Sequence, residues 1–198
     1  MSKNKIKNKI ISITESLFIE NGYDDVRIRE ISALAEISIG SFYRYFESKE
    51  ELFKLFHHKI REQIIDIITV EITNKNGIDK MKILFNTYVD FILKYGYKFI
   101  SFFISLTLEK NSFMSPPKTL HTFLQCYIDE AVQNSELDDK YNSDYIFETL
   151  ISTFEGSVFN WCISKGETDL KDNFMLTFNI LINEFKSKVI FSEDQYKI

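Results

Sequence analysis

The chain has 198 residues, 44% of them apolar, with only 6 Gly and 2 Pro, which supplies a core for one large domain or two small ones and points to an all-α fold. A net charge of −5 excludes a uniformly basic nucleic-acid binder, and no apolar run reaches the roughly 18 to 20 residues that span a bilayer. The two cysteines, Cys126 and Cys162, stand far apart without C-x-x-C spacing, so neither a disulfide framework nor a zinc site is expected, and a reducing cytoplasm fits the chain.

Charge is unevenly spread. Residues 1–60 hold 10 Lys or Arg against 9 Asp or Glu, whereas the remaining 138 hold 14 against 20. The first eleven residues carry four Lys and no acid, a positive arm that leads into charged and hydroxylic residues and is no signal peptide. Ile6, Ile10, Ile13, Leu17 and Phe18 then recur at helical spacing, and Gly22 after Asn21 reads as a C-terminal cap, so a first helix covers 6–21. A second spans 26–34 and a third about 38–45, separated by a break at residues 35–37. Ser48 with Glu51 forms a capping box ahead of Leu52, Phe53, Leu55 and Phe56, which starts a fourth helix at Lys49 and carries it to about Thr73. Further helices are expected near 79–95, 97–110, 117–134, 143–165 and 168–190, about nine in all, punctuated by Gly96, by Pro116 and Pro117, and by Gly166.

Helices two and three have the length pattern of a helix-turn-helix, in which the second helix enters a DNA major groove and the first braces it. At about 100° per residue, Phe42 and Phe46 share a face with Ser38, while Ile39, Gly40, Tyr43 and Arg44 fall on the other side. One surface can pack while the other faces outward.

The stretch "LFIENGYDDVRIREISALAEISIGSFYRYFESKEEL", residues 17–52, resembles the N-terminal DNA-binding domain of the tetracycline-repressor (TetR) family. The resemblance is carried by Phe18, Gly22 and Tyr23 at the end of helix one, Arg29, Glu30 and Ile31 in helix two, Ile37 and Ser38 before helix three, Gly40 to Tyr43 within it, Phe46, and Ser48 to Leu52. It implies a DNA-binding domain over 1–47 and a helical ligand-binding and dimerisation domain over 48–198, joined by the helix from about 49 to 73. It further implies a homodimer on double-stranded operator DNA, with a small ligand that alters the spacing of the two units; the aromatics of the C-terminal part point to a hydrophobic one. The DNA-contact candidates carried over are Arg29, Ile39, Gly40, Ser41, Tyr43, Arg44, Tyr45 and Lys49. Tyr43 and Lys49 suit phosphates, Arg29 and Arg44 suit phosphate or a guanine edge, Ile39 suits a thymine methyl, and Gly40 allows close approach.

Two positions depart from the family pattern. The turn reads Ala35-Glu36-Ile37-Ser38, with Glu36 where Gly is common and where a positive φ costs a side chain about 1 kcal/mol or more. Arg27 replaces the usual Ser or Thr cap of helix two, so Asp24 or Asp25 is the expected cap and Arg27 itself a phosphate contact.

The C-terminal part holds most of the aromatics. Phe85, Tyr88, Phe102, Phe103, Tyr127, Phe154 and Phe159, with Glu155 among them, are candidates for a cavity taking a flat hydrophobic or cationic ligand; a plain aromatic core is the alternative for each. Gly156, in mid-helix, suggests close helix approach. The family resemblance assigns dimerisation to 143–165 and 168–190, with Gly156, Asn160, Phe178, Leu181 and Phe185 as candidates. No G-x-S-x-G, P-loop, H-E-x-x-H or G-x-G-x-x-G is present, and His57, His58 and His121 form no catalytic or metal spacing. A regulator rather than an enzyme is expected, with no cofactor; a DNA-binding protein answering to a protein partner, or to nothing small, is the alternative, and an all-α enzyme or carrier a more remote one.

Overall fold

The structure, a computed structural model, describes residues 3–110 and 118–186. Its helices are α1 (Lys3–Asn21), α2 (Ile28–Ala35), α3 (Ile39–Phe42), α4 (Lys49–Glu71), α5 (Gly77–Lys110), α6 (Lys118–Gln133), α7 (Ser143–Ile163) and α8 (Leu170–Phe185). Among the described residues there is no strand, only an isolated bridge between Leu137 and Lys186. The fold is all-α, as the scarcity of Gly, Pro and alternating segments predicts. The two helices expected on either side of Gly96 are present as the two arms of α5, parted at that residue by φ 76° and ψ 162°. The expected break at Pro116 and Pro117, and residues 187–190 of the expected last helix, lie outside the described residues.

The N-terminal positive arm is helical from Lys3 onward. Ile10, Leu17 and Phe18 of α1 enclose a small core with Val26, Ile31, Ala35, Phe42, Phe46 and Phe53. The α4 start is capped as expected by Ser48, whose Oγ accepts from Glu51 N at 3.1 Å. The reciprocal bond lands one residue earlier than a capping box requires: Glu47 N donates to Glu51 Oε2 at 2.6 Å. At the other end of the molecule, Gly77 N and Ile78 N, orphan donors at the α5 start, both donate to the Glu136 carboxylate at 3.0 Å. A side chain on Gly77 would collide with Ala131 and the Tyr127 carbonyl at 2.7 Å, so α5 and α6 meet there backbone to backbone.

The C-terminal core is built where α5, α7 and α8 cross, with Phe85 ringed by Phe154, Phe174 and Phe178 at 5.0 to 5.6 Å between centroids. Asp90 accepts from Lys171 of α8 at 2.6 Å, while Lys94 lies over the rings of Phe91 and Tyr95. Among the described residues, no helix is long and apolar enough to cross a membrane.

Candidate DNA-reading surface and effector cavity

The break between α2 and α3 is set by Glu36, whose φ of 59° and ψ of 41° are left-handed. Glu36 N donates to Ala33 O at 3.1 Å and Ile37 N to Ser32 O at 3.0 Å, a Schellman closure that a glycine would normally occupy. Lys9 Nζ sits 3.1 Å from the Glu36 carboxylate, so the acidic group near the reading surface is paired with α1. Arg27 occupies the N-cap of α2 with no side-chain cap bond. Neither Asp24 nor Asp25 caps this helix, contrary to expectation; their charges act on Lys49 instead.

Ser38 caps α3, its Oγ accepting from Ser41 N at 3.0 Å and donating to Ser41 Oγ at 3.0 Å. Regular α geometry ends at Phe42, three residues short of the end expected, because Arg44 N and Tyr45 N bond three residues back, to Ser41 O and Phe42 O. That tightening keeps the expected division of faces. Phe42 and Phe46 are buried, whereas Ile39 is 46% and Tyr43 53% exposed, with Gly40, Arg44, Arg27 and Arg29 exposed beside them. Ser41 is half-buried with its hydroxyl engaged by Ser38, and Tyr45 is half-buried against the core, so these two are less available than the others.

Lys49 departs most from its expected role. Its ammonium donates to Tyr23 O at 2.6 Å and Val26 O at 2.7 Å and lies 4.0 Å from the Tyr23 ring centroid. It is therefore a strut joining the α4 start to the α1–α2 connection, and a phosphate would have to compete with two carbonyls. Burial lowers its pKa, opposed by Asp24 and Asp25.

The aromatic residues of the second part do enclose a cavity, of about 340 Å³, between α4, α5, α6 and α7. Of the ligand candidates, Tyr88, Phe103, Phe154, Glu155 and Phe159 line it. Three do not. Phe85 is core, fully buried against Phe174 and Phe178. Phe102 points the other way and stacks on Tyr23. Tyr127 packs against Phe123 on α6, with Lys80 nearby. The sequence reading missed Arg61 and His57, which α4 brings to the cavity with Ile60 and Ile64. Their spacing of 57, 60, 61 and 64 is a helical face, and that was the available signal.

The cavity's polar groups are few. His57 stacks on Phe103 at 5.0 Å, and burial, with Arg61 and His58 adding to it, lowers its pKa, so the ring is neutral at pH 7. The Tyr88 hydroxyl is buried without a hydrogen-bond partner; burial raises its pKa, and the nearby Arg61 charge opposes this. The Tyr95 hydroxyl is also buried and unpartnered, with its pKa pushed up to about 12 by burial and by Glu15. Glu155 is exposed, 3.7 Å from His121 Nε2.

The dimer candidates separate into two groups. Phe178 and Phe185 are buried in their own protomer's core and cannot form an outer face, because α8 packs them against α5 and the α6–α7 connection. Gly156 and half-buried Leu181 lie near the surface, and Asn160 is exposed. Around them Ile163, Leu176 and Ile180 are 60 to 65% exposed, an apolar patch on α7 and α8 that the sequence reading did not single out. A Cβ on Gly156 would meet nothing within 4 Å, so the close approach inferred from this glycine does not occur within the chain.

A short capped helix presenting Ile39, Tyr43 and Arg44 on a three-helix head, in front of a cavity-bearing helical body, is the architecture of a helix-turn-helix transcriptional regulator. Residues 10–55 match the family model for bacterial regulatory proteins of the tetR family. The Transposon Tn10 TetC protein of Escherichia coli is 31% identical over 84 residues, 42% of this chain and 43% of that protein; the alignment thus spans less than half of that relative. Over nearly the whole length, a TetR transcription regulator from Haloarcula marismortui has the same fold, with a TM-score of 0.78, 14% identity and coverage of 93% of this chain and 100% of that one. So does a transcriptional regulator FadR from Bacillus subtilis in complex with stearoyl-CoA, with a TM-score of 0.64, 19% identity and coverage of 88% and 97%. Residues 10–55 are thus similar to the DNA-binding domain of bacterial regulators of the tetR family, and the chain shares the fold of solved TetR-type regulators over nearly its whole length.

Proposed function

We propose that this chain is a homodimeric repressor whose α3 surface reads operator DNA and whose cavity binds a small, mainly hydrophobic effector that releases it. The observation that carries the reading is the division of α3: Phe42 and Phe46 are buried while Ile39, Tyr43 and Arg44 are exposed, so residues able to meet a methyl, a phosphate and a guanine edge stand together on a rigid support. Arg27, Arg29 and Gly40 extend that surface. The DNA-binding unit is assigned to 1–47 and the regulatory unit to 48–198, with α4 crossing between them.

Dimerisation is assigned to α7 and α8 through Gly156, Asn160, Ile163, Leu176 and Ile180, where an apolar face is uncovered in the single chain. The open space over Gly156 would admit a partner helix. Two head units also make sense of a head with little net charge, since their phosphate contacts add. The cavity favours a small effector over control by a protein partner alone, and the complex of the Bacillus subtilis neighbour with an acyl-CoA supports a hydrophobic one.

The test is selection of bound DNA from a random pool by the full-length protein, followed by salt titration of the selected site. A two-fold symmetric site whose affinity falls steeply with salt is expected. Selected DNA without two-fold symmetry would overturn the dimer, and no selectable site would overturn the operator-reading assignment.

A further inference from the structure

The cavity's walls are rings and branched aliphatics, and its few polar groups decide what kind of molecule it holds. Donors gather at its α4–α5 side. The Tyr88 hydroxyl, on a ring that forms the wall, has no acceptor of its own, an arrangement that is costly unless something supplies one. Arg61, exposed like Glu155 but lining the cavity on the Tyr88 side, is the permanent cation there, and its charge is felt at Tyr88. Its one described hydrogen bond, to His58 Nε2, is long at 3.5 Å. The acid that would recommend a cationic ligand, Glu155, sits at the edge, half-exposed and beside His121.

Size narrows the choice. At roughly 30 Å³ per water-sized group, a volume of about 340 Å³ holds about ten to a dozen heavy atoms. We propose that the effector is a compact apolar acyl compound of about this size, its hydrocarbon among Phe91, Phe99, Phe154 and Val158 and its oxygen head at Arg61 and Tyr88. A guanidinium bonds a carboxylate in fork geometry, and a small swing of Tyr88 brings its hydroxyl to the same oxygen. This rests on the reading of the cavity as the effector site. The shared chemistry, an apolar chain ending in an oxygen acceptor, is offered by a free fatty acid and by an acyl thioester.

The experiment uses full-length protein and calorimetric titration with decanoic acid, decanol, decyltrimethylammonium and decanoyl-CoA, repeated on Arg61→Gln and Tyr88→Phe. Decanoic acid is expected to bind at least about tenfold more tightly than decyltrimethylammonium, and to weaken about tenfold in Arg61→Gln while decanol does not. Tyr88→Phe weakens every oxygen-bearing ligand a few-fold. Tighter binding of the acid than of the CoA ester, or the reverse, with the same Arg61 dependence, supports the proposal and names the source. A cation that binds as well as the acid, or acid binding indifferent to Arg61, overturns it. Gel shifts of the same proteins on their selected DNA separate this from failure of the regulator reading: intact DNA binding without acyl binding sinks only the ligand assignment.

Discussion

The ring of Tyr23 lies stacked on that of Phe102, centroids 3.7 Å apart and planes 10° from parallel. Tyr23 belongs to the α1–α2 connection of the DNA-reading head; Phe102 stands on α5 next to Phe103 of the cavity wall. Phe53, at the start of α4, meets both rings edge-on at 5.4 and 5.1 Å and touches Phe99, another wall residue, at 5.0 Å. Packed rings thus connect the cavity wall to the head without an intervening solvent layer. In a double-mutant cycle of Tyr23→Ala and Phe102→Ala, read by urea unfolding, the pair is expected to show a coupling of about 0.5 to 1.5 kcal/mol. Strict additivity would show that the stack carries no energy.

Gly96 supplies the break that turns the second half of α5 onto the head. Its φ of 76° and ψ of 162° fall in a region open almost solely to glycine, yet a Cβ there would meet nothing within 4 Å. Gly96→Ala thus isolates backbone strain from crowding. A loss of about 1 to 3 kcal/mol is expected in chemical denaturation, and a neutral result would mean that α5 can straighten without cost.

Lys49 and Arg44 should part company in a salt titration. Lys49 is bonded to Tyr23 O and Val26 O, so Lys49→Met is expected to lower stability by about 2 kcal/mol while leaving the dependence of log affinity on log salt almost unchanged. Arg44 is exposed beside Tyr43, and Arg44→Ala is expected to reduce that slope by about one per bound protomer. A slope change for Lys49 as large as that for Arg44 would restore its phosphate role.

These contrasts mark what the sequence could carry. The face of α3 was legible because Phe42 and Phe46 against Ile39 and Tyr43 is a local periodicity, and the positive φ at Glu36 because the resembled family commonly carries Gly at that turn position. Lys49 was misjudged because its partners are carbonyls 23 and 26 residues away, and a main-chain acceptor leaves no mark on sequence. Phe85 and Phe103 are both aromatics on one helix; which faces the cavity depends on how α5 rotates after Gly96 and on what α8 brings up behind it. Phe178 and Phe185 were placed outside for the same reason, whereas Leu176 and Ile180, apolar yet exposed, could be recognised only once α8 had been docked. Glu136 reaching back to cap α5 is a long-range bond of the same illegible kind.

Glu36→Gly tests the departure from the family turn. The left-handed φ of 59° costs a side-chain-bearing residue roughly 1 kcal/mol relative to glycine. The Lys9 pair that the substitution removes is exposed, with Glu36 83% accessible, and such pairs contribute little. Stability is expected to rise by up to about 1 kcal/mol, and operator affinity at fixed salt to hold or increase as an anion leaves the reading surface. A clear fall in affinity would show that the Lys9–Glu36 pair positions α1 for DNA.

His57 gives the regulatory domain a pH dependence of definite sign. Its folded pKa is lowered from 6.5, first by burial and then by the Arg61 and His58 charges. Below pH 6.5 the unfolded chain therefore takes up this proton before the folded chain does, and stability that is intact above 6.5 is lost as pH falls through the lower folded value. Replacing His57 with Gln removes the titration, so the stability difference between parent and His57→Gln should shift toward the variant as pH is lowered from neutral. Denaturant midpoints measured at matched ionic strength across this range provide the check. Parallel curves would show that the buried imidazole is protonated equally easily in both states.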